Sequence, residues 1–324
     1  MDNEKKKFTH FKIHTQYSIC EGAIKIQDLS KYCKENKIHS IGLSDSFNLC
    51  GALEFSEEIS KTGTQPIISS QINFKFKNST GKIPIFAKSE KGFRNLTKLS
   101  SKSYLDVEKE SKPYCTIDDL ISNNEDLIIL SGGIDSLFSN LIRNNHIKYL
   151  EDIVSKLQKA FSDRFYFEIQ RHDDNGEKQI ENIFIDLSNK FKLPLIASQE
   201  VFYINKDMYE AHDALLCIGE KTYVEEKNRK KFSNQHYLKT SNELNKLYAD
   251  LPEALENNYN FPYRFNFKLK KSEPNLPSIK ISNNLTEKEE LLSLSKSGLD
   301  NRLKNFVFKK NKNLDEASVK KKYE

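Results

Sequence analysis

Polar residues able to act in catalysis or metal binding lie at or just past the ends of predicted strands. They are His14, Asp45, Ser46, Gln71, Gly132, Gly133, Glu168, His172 and Glu200. In (β/α) barrels the C-terminal ends of the strands build the active site. This placement therefore predicts a barrel with a polar mouth.

Metal binding is the chemistry to weigh first, and the segment HFKIHTQYSICEG (10–22) is its best candidate. His14 and Glu21 offer lone pairs there, whereas Lys12 is an ammonium at neutral pH and offers none. One imidazole and one carboxylate do not hold a catalytic metal. From the residues alone we interpret His14 as a structural histidine.

The other polar motifs favour ordinary structural roles. We interpret Asp45 as a helix cap or turn acceptor, and Glu200 as a cap or salt-bridge residue. The SGG tract (131–133) is consistent with a phosphate cradle or simply a tight turn. RHDDNGEK (171–178) is predicted to be an exposed loop and NRKK (228–231) a solvated basic face. The chain has no Asp-x-Asp pair for two-metal nucleotidyl transfer and no G-x-S-x-G elbow.

Short apolar runs alternate with amphipathic stretches up to about residue 220, which predicts parallel strands joined by crossover helices. Strands are expected near 8–14, 39–44, 65–76, 83–87, 127–131, 164–170 and 194–199, and helices near 26–36, 51–61, 91–102, 116–123, 136–143, 147–161, 177–191 and 208–219. The NSTGK tract (78–82) predicts a hairpin, so one antiparallel pair interrupts the pattern. A doubly wound sheet would instead favour a Gly-rich first turn, and QYSICEG is not one.

Composition sets wider bounds. The 324 residues carry 51 basic and 46 acidic side chains, a net charge of +5, which is too small for nucleic-acid binding by bulk charge. Five cysteines without a C-x-x-C pair suggest neither a disulfide framework nor a zinc ribbon. The N-terminus has no apolar h-region, and no run approaches eighteen apolar residues. We expect a cytoplasmic protein that does not interact with membranes.

The pattern changes after residue 220. Thr240 with Glu243, and Thr286 with Glu289, form capping boxes that predict helices, and LPEALENNYNF predicts another. The segment 272–284 is polar and holds two prolines, as linkers do. The charged tail stops without a hydrophobic anchor, which suggests a chain that continues beyond residue 324.

Several segments, in order along nearly the whole chain, resemble the N-terminal PHP (polymerase and histidinol phosphatase) domain of bacterial DNA polymerase III alpha subunits. The most specific are NLCGALEF and GFRNLTKL, and FTHFKIHTQYSICEG, LIILSGG and LPLIASQEVFY accompany them. The resemblance implies a distorted (β/α) barrel of PHP type over residues 1–270, with its helical extension. It implies that residues 271–324 are a helical, linker-like segment at the start of the polymerase core.

Metal-binding members of that family carry ligands that the resemblance places on particular residues here. These positions are Lys12, His14, Glu21, Ser46, Gln71, Lys82, Gly133, Glu200 and Phe202. Only His14 keeps the family residue, while Glu21 and Glu200 keep the charge. We therefore predict a vestigial pocket with no catalytic residue and no metal ligand in this chain.

The resemblance implies a catalytically inactive scaffold within a replicative DNA polymerase. Its expected partners are the polymerase core of the same chain, the proofreading exonuclease and other polymerase III holoenzyme subunits, with DNA contacted through the parent enzyme. No cofactor is expected in this segment, and magnesium is expected in the polymerase core. The alternative is a surviving metal-dependent phosphoesterase or 3′–5′ exonuclease of the PHP superfamily. In the vestigial pocket we expect Lys12 and Lys82 to face Glu21 and Glu200 and to form an ion-pair network with them.

Overall fold

A computed structural model describes residues 7–107, 112–277, 281, 285–310 and 315–323. The chain divides into two compact units, Met1–Lys271 and Ser272–Glu324. The first unit holds the sheet and the polar residues discussed above. The assignment of residues 271–324 to a linker and the start of a polymerase core stays a prediction.

The first unit alternates strands and helices along the chain. The strands are β1 Lys12–Ile13, β2 Ser40–Ser46, β3 Gln65–Phe76, β4 Ser79–Ala87, β5 Cys115–Thr116, β6 Leu127–Leu130, β7 Phe165–Ile169, β8 Leu195–Ala197 and β9 Glu200–Val201. The helices are α1 Ile26–Glu35, α2 Ala52–Lys61, α3 Glu90–Leu105, α4 Ile117–Ser122, α5 Leu137–Arg143, α6 Ile147–Phe161, α7 Glu177–Phe191, α8 Tyr209–Glu220, α9 Ser241–Leu247 and α10 Pro252–Asn260. The predicted strand at 8–14 shrinks to two residues. The other predicted elements appear, β3, α6 and α7 with the predicted bounds and the rest with shifted ends.

The strands form one curled sheet in the order β8-β7-β6-β4-β3-β2-β1-β9, with β5 added beside β3. The two end strands, β8 and β9, are separated in sequence by only Ser198 and Gln199. Three Cα steps span at most about 11 Å, so the opposite edges of the sheet must lie close together. The sheet is therefore curled into a distorted barrel, and the predicted fold class is confirmed.

Strand β4 interrupts the parallel pattern, because it runs antiparallel to both β3 and β6. The predicted hairpin exists, but its turn lies earlier than the NSTGK tract suggested. Phe76 and Ser79 are paired, so Lys77 and Asn78 make the turn and residues 79–82 already belong to β4. Lys77 adopts a φ of 54° there. The β3–β4 ladder continues past the tract because Thr80 and Gly81 pair with Lys75 and Phe74.

Helices pack on the outside of the sheet with their apolar faces inward. In α6 the buried residues are Leu150, Ile153, Val154, Leu157 and Phe161, which is the spacing of one helical face. The predicted capping box of α9, Thr240 with Glu243, is present, and Thr116 with Asp119 forms another at the start of α4. Each satisfies backbone N–H groups that would otherwise lack partners at the helix start.

Among its described residues the second unit contains two helices, α11 Glu287–Arg302 and α12 Glu316–Tyr323, and a π-helical turn at Leu303–Phe308. The predicted capping box of Thr286 and Glu289 opens α11. Residues 272–277 of the predicted linker are exposed and belong to no helix or strand, while 278–280 and 282–284 lie outside the described residues. Over the described ranges, no helix has the length and apolar character needed to cross a membrane.

Candidate functional site

The strand ends bring the predicted polar residues together because neighbouring strands are in register. Lys12 on β1 pairs with Glu200 on β9, and Ser46 on β2 pairs with Gln71 on β3. Lys82 lies on β4 opposite Asn73. Within this barrel mouth the charged side chains form two clusters, an inner and an outer one.

The inner cluster consists of Lys12, Glu168, Glu200, His14 and Gln71. The Lys12 side chain is fully buried, and its Nζ lies 3.1 Å from Glu168 Oε1 and 3.7 Å from Glu200 Oε2. Glu168 is fully buried as well and accepts a second hydrogen bond from Gln170 Nε2. The strongest partner of Lys12 is thus Glu168, which the resemblance did not single out, with Glu200 at longer range.

Glu200 is held as a carboxylate by the groups around it. His14 Nε2 lies 2.8 Å from Glu200 Oε1, and Gln71 Nε2 donates to the same oxygen. Burial opposes ionisation, but the Lys12 ammonium and the His14 hydrogen bond hold the pKa of Glu200 well below its ordinary value. The Glu200 carboxylate thus holds the side chains of Lys12, His14 and Gln71 together in the barrel mouth.

The outer cluster consists of Glu21, Lys82, Lys230, Ser46 and Asp135. Glu21 Oε1 lies 2.8 Å from Lys82 Nζ and 3.1 Å from Lys230 Nζ, and Ser46 Oγ donates to the other Glu21 oxygen. Lys230 Nζ also lies 3.1 Å from Asp135 Oδ2. Although burial works against it, the Lys82 ammonium lowers the pKa of Glu21, and His14 and Lys230 add to the effect. The predicted pairing of Lys82 with Glu21 is present.

The two remaining positions of the resemblance, Phe202 and Gly133, carry no ligand atom in their side chains. The Phe202 ring packs on the His14 ring with centroids 4.5 Å apart. A Cβ at Gly133 would lie 2.0 Å from Gln170 Oε1, so Gln170 fills the space that a side chain there would need. Apolar and amide groups thus occupy these positions.

The residues present do not fit the metal centre that the family implies. Lys12 and Lys82 have no lone pair, and each ammonium already contacts a carboxylate that would otherwise be available as a ligand. Placing a cation beside these ammonium groups would add like-charge repulsion in a buried setting. The ammonium groups supply the positive charge that neutralises Glu21 and Glu200.

The NRKK cluster is not a solvated face, so that prediction is wrong for two of its residues. The Arg229 side chain is only 3% exposed and donates to both oxygens of Asp213. Lys230 reaches Glu21 in the mouth. A run of four basic or amide residues gives no sign of this in sequence, because the partners lie in distant segments.

The prediction of an exposed loop at 171–178 holds only in part: residues 171–176 form a loop in which Asp173, Asn175 and Gly176 are exposed, but His172 and Glu177 are buried and Glu177 begins a helix. His172 is buried and stacks on His236 with ring centroids 4.0 Å apart and planes 3° apart. His236 Nε2 lies 2.8 Å from Asp174 Oδ2, and Glu177 begins α7 with its carboxylate on His172. Sequence reasoning missed His236, whose only signal was a histidine between polar residues.

His172, Asp174 and His236 are close enough to be considered as a metal site. Every ring nitrogen already has a partner, however. His172 Nε2 accepts the backbone N–H of Glu200, and His236 Nδ1 faces the Glu200 carbonyl oxygen. Parallel stacked rings also direct their in-plane nitrogens side by side and not toward one point between them. In this arrangement the histidines hold the backbone of Glu200.

Comparison with known proteins shows which family this chain belongs to. Residues 10–172 match the PHP domain family. The chain belongs to the PHP domain family. Curated relatives named DNA polymerase III subunit alpha include that of Caulobacter vibrioides, 33% identical over 93% of this chain, and that of Borreliella burgdorferi, 33% identical over 94%. The chain covers 27% and 28% of these two proteins, so this PHP domain segment spans about a quarter of the length of its relatives.

Two solved structures are similar at low identity. One is a two-domain protein from Bacteroides vulgatus containing a predicted PHP-like metal-dependent phosphoesterase, with a TM-score of 0.40, 12% identity and coverage of 74% of this chain and 62% of that one. The other is an amidohydrolase from Chromobacterium violaceum, with a TM-score of 0.40, 8% identity and coverage of 64% and 96%.

Proposed function

We propose that this chain is a catalytically inactive PHP domain that acts as a scaffold in the alpha subunit of a replicative DNA polymerase in the cytoplasm. The observation that carries the proposal is the buried Lys12 ammonium, held between Glu168 and Glu200 in the barrel mouth. An ion pair in this position neutralises buried carboxylates but offers no Lewis acid and no activated water. The role left to the domain is structural.

The names of the curated relatives support the polymerase context. In this proposal the domain docks onto the polymerase core of the same chain and onto the proofreading exonuclease, within the polymerase III holoenzyme. DNA synthesis, with its magnesium ions, belongs to the polymerase core. We expect the complete subunit to extend primed templates and residues 1–324 alone to extend none, and measurable extension by the 324-residue chain would contradict the proposal.

The metal-free state is tested by elemental analysis of the purified chain, together with phosphatase and 3′–5′ exonuclease assays in zinc, manganese or iron. We expect less than stoichiometric metal and no hydrolysis above background. One tightly held ion per chain, with a hydrolytic activity that His14→Ala abolishes, would refute the inactive scaffold. It would establish the alternative, a metal-dependent phosphoesterase or exonuclease.

Docking is tested separately by copurification of the chain with the exonuclease subunit of the same organism. We expect a stable complex on gel filtration. A matched chain carrying Lys12→Met reports whether docking needs an intact mouth or only a folded barrel. Absence of any complex at micromolar concentrations would contradict this part of the proposal.

A further inference from the structure

An open cleft of 630 Å³ lies against the outer cluster. Four lysines, Lys75, Lys82, Lys112 and Lys230, line it together with Phe47 and Tyr114. Volumes of this size are typical of small-molecule sites. The cleft extends beyond the vestigial positions, because Lys75 and Lys112 belong to none of them.

The inner end of the cleft is electrically balanced. Its two carboxylates, Glu21 and Asp135, are shared by Lys82 and Lys230 at distances of 2.8 to 3.1 Å. No further cation is needed there, and neither carboxylate is left to offset the lysines of the outer wall.

The outer wall of the cleft carries two further ammonium groups, those of Lys75 and Lys112. In the part of the chain that the structure describes, neither Lys75 nor Lys112 forms an ion pair, and Lys75 Nζ lies 5.3 Å above the Tyr114 ring. Ammonium groups on the wall of a concave site concentrate anions from solution. Lysine binds phosphate oxygens as a point charge with three donors.

The aromatic rings of the cleft are already engaged by ammonium groups. Lys82 Nζ lies 5.4 Å from the centre of the Phe47 ring, much as Lys75 covers Tyr114. These contacts hold the lysines in place and leave the rings poorly suited to stack a nucleobase. The described residues of the cleft therefore offer ammonium groups for an anion but no free ring for a base.

We propose that this cleft binds a di- or polyphosphate anion through Lys75 and Lys112, with no metal and no hydrolysis. The same chemistry is available from free pyrophosphate, from a nucleoside triphosphate and from the phosphorylated end of a DNA strand. This ligand site goes beyond the structural role proposed above.

The test is calorimetric titration of the 324-residue chain with pyrophosphate in buffer containing EDTA. We expect saturable binding that weakens as salt is added, because the interaction is electrostatic. Lys75→Gln with Lys112→Gln should weaken binding at least ten-fold. The matched control, Lys34→Gln with Lys98→Gln, removes two exposed charges elsewhere and should change the affinity less than two-fold.

Further arms identify the source of the phosphate. Equal affinity for pyrophosphate and for dATP supports recognition of phosphates alone. Binding of a 5′-phosphorylated oligonucleotide with no binding of pyrophosphate would overturn the proposal in favour of a nucleic-acid surface. No saturable binding at millimolar pyrophosphate, or equal loss in both double variants, would also overturn it. Binding that EDTA abolishes would contradict the metal-free scaffold too, whereas absence of binding with and without EDTA would contradict only this inference.

Discussion

Replacing Lys12 by methionine isolates the charge at the centre of the barrel mouth. Methionine keeps most of the volume of the lysine stem, so the variant changes electrostatics more than packing. The Lys12 and Glu168 side chains are 0% exposed and that of Glu200 is 13% exposed, so the substitution leaves two carboxylates without their cation away from water. Breaking a buried pair in this way costs about 3 to 5 kcal/mol.

The structure favours the lower end of that range for Lys12→Met. Glu168 keeps the hydrogen bond from Gln170, and Glu200 keeps His14 and Gln71. We therefore expect a loss of about 3 kcal/mol in the free energy of unfolding. Lys82→Met should cost less, because Lys230 remains 3.1 Å from Glu21.

Urea unfolding followed by circular dichroism measures these differences, with Lys190→Met as the matched control. Lys190 pairs with Glu151 at 2.6 Å, but these side chains are 54% and 40% exposed, so its loss should cost about 0 to 1 kcal/mol. In a double-mutant cycle, Glu168→Gln should recover part of the Lys12→Met loss, with a coupling of about 1 to 3 kcal/mol. A Lys12→Met cost no larger than that of the control, or zero coupling, would refute the buried network.

Three further predictions test other parts of the structure. Folding lowers the pKa of Glu21 and Glu200 below their ordinary value of 4.5, so both contribute stability above that pH and lose it as the pH falls toward the folded pKa. The urea concentration at the unfolding midpoint should therefore decrease as the pH is lowered below about 5. A dependence of this midpoint on pH that Glu200→Gln leaves unchanged would contradict the assignment. Lys192 follows α7 with a φ of 54°, a left-handed conformation that glycine adopts without strain. Lys192→Gly should therefore raise the melting temperature by an amount equivalent to about 0.5 to 1 kcal/mol, and a lower melting temperature would contradict this prediction. Gly133→Cys should cost about 1 kcal/mol in urea unfolding, because the Gln170 amide must move away and give up its hydrogen bond to Glu168. Gln170→Ala should relieve part of that cost, whereas equal costs in both backgrounds would exclude the clash.

Local patterns in the sequence predicted most of the fold. Helix α6 follows from its apolar spacing, and the starts of α4, α9 and α11 follow from their capping boxes, because these interactions join residues three or four apart. The strands were found as apolar runs, since both faces of a parallel strand are buried. The length of β1 was overpredicted, because Phe8 and Phe11 are buried without being part of a strand.

Residue types also determined part of the site. An ammonium at positions 12 and 82 has no lone pair in any fold, so the chemical misfit with a metal was evident before the structure was known. Asp45 was predicted as a local cap or turn acceptor, but it instead accepts hydrogen bonds from Thr15 and Ser18, which lie 30 and 27 residues earlier in the chain.

Only the tertiary structure decided which charges meet. Lys12 and Glu168 are 156 residues apart, and Glu21 and Lys230 are 209 residues apart. Such pairs depend on how the sheet curls and on where the loop after α8 returns, and no local pattern encodes either. For the same reason nothing in the sequence indicated that His172 stacks on His236. Sequence alone determined the chemical character of the barrel mouth, whereas the closure of the barrel selected the partners of each charge.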